Sequence, residues 1–206
     1  EKQWVLGIDA SFVSKSGKAT PNLGKYWDSK QNKAVRGLEV SCCSLIELSW
    51  GQAFGLHLRS TQPSETTSRM EQYAGHLHDV LGCLTPDLRQ RIEYVVADGY
   101  YSKQGFIKAV CQQAKHMVGK LRCDADLRYP FTGPRPTGPG RPKLYEGKVD
   151  YLDWTRWERV QQIRQEETAD EGQPINIYTT IANPPQPKTK LRVVAMTHQR
   201  GSVAKP

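Results

Sequence analysis

Trp4-Val5-Leu6-Gly7-Ile8-Asp9 and Tyr94-Val95-Val96-Ala97-Asp98 are the two stretches that decide the fold of this chain. Each is an apolar run of strand length that closes on an aspartate and is read as passing at once into loop. A carboxylate at the end of a buried strand serves packing poorly. Side by side and parallel, the two strands bring Asp9 and Asp98 to one sheet edge, where α/β proteins place their sites. Paired carboxylates in that position suit divalent-metal chemistry on phosphates. The alternative is that each Asp caps a turn, a common use of Asp after strands.

Outward from these strands the chain shows more β and some helix. A long polar loop is expected after Asp9, then two β-rich runs, Leu38 to Leu48 and Gly51 to Leu58, joined as an antiparallel hairpin around Ser49-Trp50. Thr67 to Leu81 places Met70, Tyr73, Ala74, Leu77 and Leu81 on one helical stripe, with Pro63 before it and Gly82 after. A second helix is predicted from a Ser102 cap, with Phe106, Ile107, Val110, Cys111 and Ala114 on one face. His116 to Leu121 reads as a short buried strand. The order strand, strand, strand, helix, strand, helix, strand predicts an α/β mixed sheet flanked by helices. That order is what a ribonuclease H-like fold requires.

The pattern changes from Asp124. Gly133-Pro134-Arg135-Pro136-Thr137-Gly138-Pro139-Gly140-Arg141-Pro142 is excluded from helix and central strand and reads as an extended loop. Trp157 to Arg164 and Ile175 to Ile181 are predicted strands around an acidic turn, and Leu191 to Met196 is the final strand. The expected organisation is a catalytic core over 1–123, a β-rich insertion after the fifth core strand over 124–188, and a last strand with a basic tail over 189–206.

Composition narrows the partners. Twenty-nine Lys and Arg against twenty-one Asp and Glu leave a formal net charge of +8. That balance favours a polyanion, with nucleic acid ahead of an anionic membrane surface. No apolar stretch approaches the ~20 residues that span a bilayer, and the start lacks the basic-then-apolar pattern of a signal peptide. The five cysteines contain no Cys-x-x-Cys pair to begin a zinc site and are read as reduced core thiols of a cytoplasmic protein.

Two metal ions about 4 Å apart, flanked by carboxylates, activate a water or a 3′-hydroxyl and stabilise the leaving oxygen. Oxygen ligands with incomplete protein coordination point to Mg²⁺, with Mn²⁺ as a substitute. Val5-Leu6-Gly7-Ile8-Asp9-Ala10-Ser11-Phe12-Val13, the Lys- and Gly-rich loop after it, and Val96-Ala97-Asp98-Gly99-Tyr100-Tyr101-Ser102 resemble the catalytic domain of bacterial insertion-sequence DDE transposases. The resemblance extends over most of the chain and belongs to the branch with inserted β-strands. It implies that Asp9 and Asp98 bind the catalytic metals. It further implies phosphodiester cleavage and strand transfer at transposon ends, with DNA as partner, a nucleoid-associated protein, and a homodimer on DNA left open. The family's third acid is a Glu on a helix after the last core strand, in a Tyr…Arg…Glu…Lys arrangement that nothing here matches. The chain is therefore expected to end before that helix. A DNA-binding remnant that does not cut, or another ribonuclease H-like nuclease, is the alternative.

Cations on the loop after Asp9, namely Lys15, Lys18, Lys25, Lys33 and Arg36, are candidates to hold DNA phosphates near the metals, as are Lys103, Arg122, Arg141 and Lys143. Tyr26 and Trp27 add stacking surface. Trp154 and Trp157 are candidates to stack on a displaced base, against the plainer reading that they anchor the inserted strands. His57, His76, His78 and His116 are read as structural or surface residues.

Overall fold

A computed structural model of the chain describes residues 3–17, 19–28, 30–121, 125–134, 140–164, 174–184 and 190–198. The chain divides into two compact units, Glu1–Arg122 and Cys123–Pro206. The first holds strands β1 (Trp4–Ser14), β2 (Gly24–Asp28), β3 (Lys33–Glu47), β4 (Gln52–Ser60), β5 (Tyr94–Ala97) and β6 (His116–Gly119). Its helices are α1 (Arg69–Cys83), α2 (Pro86–Arg91) and α3 (Gln104–Gln112). The second holds β7 (Arg128–Pro130), β8 (Tyr145–Lys148), β9 (Glu158–Arg164), β10 (Pro174–Ala182) and β11 (Leu191–His198).

In the first unit β3 lies antiparallel to β1, and β5 and β6 continue the sheet in parallel. β4 pairs with one half of β3 and β2 with the other. The parallel β1–β5 pairing requires a crossover, which α1 and α2 supply. This mixed sheet is compatible with a ribonuclease H-like fold. Leu6, Ile8, Cys43, Leu45, Val95 and Ala97 form one face of it and pack with Tyr73, Leu77, Leu81, Phe106 and Val110 of the helices. The predicted stripe of α1 is the face that packs, and Ser68 caps the helix through a reciprocal bond pair with Glu71.

Several expectations are corrected. β1 does not stop at Asp9 but runs on to Ser14 against β3, because its outer half finds a full antiparallel ladder there. The polar stretch after it is not all loop: β2 forms within it, since Tyr26 is buried and donates to the Thr61 carbonyl at 3.0 Å. Asp98 caps a 3-10 turn over Gly99–Tyr101, so α3 starts at Gln104 and Ser102 is not its cap. Cys111 and Ala114 do not join the buried face, and Cys83 and Cys111 are exposed rather than core thiols. β11 pairs with β10 and extends the sheet of β9 and β10, not that of the first unit. Among the described residues no helix is long and apolar enough to cross a membrane.

A chain of hydrogen-bonded side chains ties α1 to β3 and β4. His57 Nδ1 lies 2.9 Å from His76 Nε2, His76 Nδ1 lies 2.6 Å from Ser41 Oγ, and Ser41 Oγ donates to the Arg59 carbonyl at 3.3 Å. A neutral His76 can accept at Nε2 and donate at Nδ1, which gives each link of this chain one donor and one acceptor. Burial first, then the Arg59 guanidinium and His57, push the His76 imidazole down to about 4. The unfolded chain binds that proton near pH 6.5, so between these values it holds more protons than the fold. Stability is expected to fall by roughly 2 kcal/mol as the pH drops from 6.5 toward 4, relative to a His76→Gln variant. Urea denaturation of both proteins across that range checks this; parallel pH profiles would refute it.

Candidate active site

The parallel ladder pairs Val5 with Tyr94, Leu6 with Val95 and Gly7 with Val96. Carried two residues on, the same register sets Asp9 level with Asp98 on strand paths that lie ~4.8 Å apart. Side chains alternate along a strand. Leu6 and Ile8 of β1, and Val95 and Ala97 of β5, face the helices. Asp9 and Asp98 therefore project from the opposite face, and both are exposed. Asp9 thus marks the end of the shared ladder with β5, although not the end of its strand.

The chain after β5 fixes the second carboxylate. Asp98 Oδ1 accepts from the Tyr100 backbone N–H at 2.9 Å, which orients the group. Only glycine fits next: a Cβ on Gly99 would sit 2.9 Å from the Lys120 carbonyl oxygen. The turn then buries Tyr101, whose ring packs edge-on to Phe106 at 5.1 Å between centroids. Its hydroxyl has no hydrogen-bond partner among the described residues. Burial, then the charges of Asp9, Asp98 and Glu39, push the Tyr101 phenol up. Among the described residues no three His, Cys, Asp or Glu side chains form a metal-holding group. The pair supplies hard oxygen ligands for part of a coordination shell, the pattern suited to Mg²⁺ completed by water and phosphate oxygens.

Residues 1–180 match the family model for the DDE superfamily endonuclease. The chain belongs to that family. A comparison with curated proteins finds no match. Membership gives a nuclease- or transposase-type chemistry with DNA as substrate and a divalent metal as the usual helper.

Around the Asp pair the predicted cations sort into distinct places. Lys25 and Arg36 are partners across the β2–β3 ladder, with Trp27 two residues from Lys25 and 59 % exposed. Like charges opposite one another weaken a ladder. Here the hairpin is held from its other face, where the Arg69 guanidinium lies 5.0 Å over the Tyr26 ring and 3.5 Å from Glu39. Tyr73 also donates to Glu39. Tyr26 is therefore a buried anchor and Trp27 the exposed ring. Lys15 and Lys33 are exposed, and Lys103 lies 4.6 Å above the exposed Tyr100 ring beside Asp98. Lys18 and Arg122 lie outside the described residues.

In the second unit Arg141 and Lys143 are exposed. Trp154 is half-buried, with its ring 4.6 Å from Tyr178 and 5.3 Å from Trp157. Trp157 is buried, which makes it a support for Trp154. Sequence reasoning missed Tyr100 and Tyr101 as neighbours of the acids. Their signal was the aromatic pair directly after Asp98-Gly99.

Proposed function

We propose that this chain is the catalytic region of a DNA transposase. It hydrolyses a phosphodiester at a transposon end, and the freed 3′-hydroxyl then attacks a target phosphodiester in line, releasing a new 3′-hydroxyl. The observation that carries this reading is the level placement of Asp9 and Asp98 on one exposed sheet face. Asp9 and Asp98 would hold Mg²⁺, or Mn²⁺ in its place, and the bound metal supplies positive charge where the phosphodiester gathers negative charge. Lys15, Lys25, Lys33, Arg36 and Lys103 hold the DNA backbone near the acids, and Trp27 and Trp154 offer stacking faces for bases. In this reading 1–123 is the catalytic core, and 124–188 adds DNA contacts from the second unit. Nicking of supercoiled plasmid by the chain in Mn²⁺, abolished by EDTA and restored by added metal, is the expected result. Salt-sensitive binding of plasmid with no nicking would instead assign the chain to DNA binding alone. Nicking that survives EDTA would overturn the metal assignment.

A further inference from the structure

The second unit carries a positively charged cavity remote in sequence from Asp9 and Asp98. It lies at the β7–β8 hairpin, has a volume of about 430 Å³, and is lined by Asp126, Arg128, Lys143, Tyr145, Gly147 and Lys148 among others. Arg128 and Lys148 are direct partners across the antiparallel ladder. Two cations facing each other there repel and cost stability. A single carboxylate answers them: Asp126 lies 3.4 Å from Arg128 Nη2 and 4.0 Å from Lys148 Nζ. Lys143 is the third cation, placed 5.1 Å over the Phe131 ring, and the Arg128 guanidinium lies 5.7 Å from the Tyr145 ring. The lining thus holds three cations and one anion around an open space. Gly147 lines the same space with φ at +116°, a conformation costly for any other residue.

A carboxylate partner for each cation would neutralise this cavity; among the described residues that line it, Asp126 is the one carboxylate. Uncompensated cations in a concave site focus positive potential and favour an anion with several oxygens. Arginine offers a planar fork for phosphate and the lysines add point charges. We propose that this cavity is a docking site for the DNA phosphodiester backbone, acting separately from the Asp pair. The proposal rests on the reading of the chain as a DNA-acting enzyme. It adds that the second unit grips the duplex through its backbone, without base contacts, so the grip is independent of sequence.

The test is anisotropy of a labelled DNA duplex titrated with the full chain over a range of salt concentrations. Lys143→Ala/Lys148→Ala is expected to lower affinity about tenfold and to flatten the slope of log K against log[salt] by about two. Asp126→Asn removes the internal counter-charge and is expected to shift affinity the other way. Lys108→Ala/Arg91→Ala, which removes two exposed cations of the first unit, controls for net charge and is expected to leave the slope unchanged. Equal flattening in that control, or an unchanged slope in Lys143→Ala/Lys148→Ala, would overturn the docking site. A mononucleotide that raises the thermal midpoint of the wild type but not of the lysine variant, with duplex slopes equal, would assign the cavity to a free nucleotide and overturn it too. Nicking by the wild type separates the two readings: if it nicks while the lysine variant binds unchanged, only the cavity proposal falls. If it neither nicks nor binds duplex, both fall.

Discussion

Asp9→Asn and Asp98→Asn are each expected to lower metal-dependent plasmid nicking by on the order of 10²- to 10³-fold, with thermal unfolding unchanged. The change replaces one oxygen by an amide nitrogen and removes one negative charge, while side-chain volume stays the same. Neither side chain packs in the core, since both project from the exposed face. Asn at 98 retains an oxygen to accept the Tyr100 N–H, so the turn that seats the site survives. The loss therefore falls on binding of a cation and on the charge it would carry to the phosphate. Asp98→Ala differs: it also removes the cap, at about 1 kcal/mol. Equal activity in wild type and either Asn variant would remove that residue from the site. A large drop in the unfolding midpoint would make its role structural.

Phe106→Ala is expected to destabilise the first unit by about 3–5 kcal/mol. Phe106 is fully buried and packs edge-on against Tyr101, which itself packs on Tyr73 at 5.2 Å between centroids. Removing the ring leaves a void beneath the turn that carries Asp98, and the aromatic contacts are lost with it. Because Tyr101 belongs to the turn that Asp98 caps, nicking should fall further than the folded fraction does. Native-state hydrogen exchange of the β5 and α3 amides reads the destabilisation in the first unit alone. Cys111→Ser, on the exposed side of α3, should leave that exchange unchanged. Protection in Phe106→Ala equal to wild type would mean the ring is not part of this core.

Much of the first unit was legible in the residues. The stripe of Met70, Tyr73, Leu77 and Leu81 repeats at helical spacing, and that spacing alone commits α1 to one buried face. Val5, Leu6 and Ile8, like Val95 and Ala97, mark buried strands by apolarity over a strand's length. An aspartate that interrupts such a run is conspicuous because burying a charge is costly. That is why Asp9 and Asp98 stood out without any structure, and why their pairing followed from the order of strands.

Other features depend on contacts between residues far apart in the chain. Gly24–Asp28 looks like loop because it is polar; it is a strand because Tyr26 reaches Thr61 and stacks under Arg69. Ser102 has the chemistry of a cap, yet Asp98 two positions before Tyr100 takes the N–H first and delays α3. Trp154 and Trp157 look alike in sequence, but tertiary packing buries one and leaves the other half open. Leu191–His198 has the composition of any strand, and its neighbour is set by which ladder is open to it.

The sequence by itself determined the two aspartates, the strands that carry them and the basic character of the chain. Apolar spacing and charge are local properties that any segment displays. Only the tertiary structure decided that Asp9 and Asp98 lie level on adjacent strands, that Lys25 meets Arg36 on a hairpin, and that Arg128 and Lys148 both face Asp126. Those are matters of register and of long-range packing, and a segment read alone holds no information on what lies across from it.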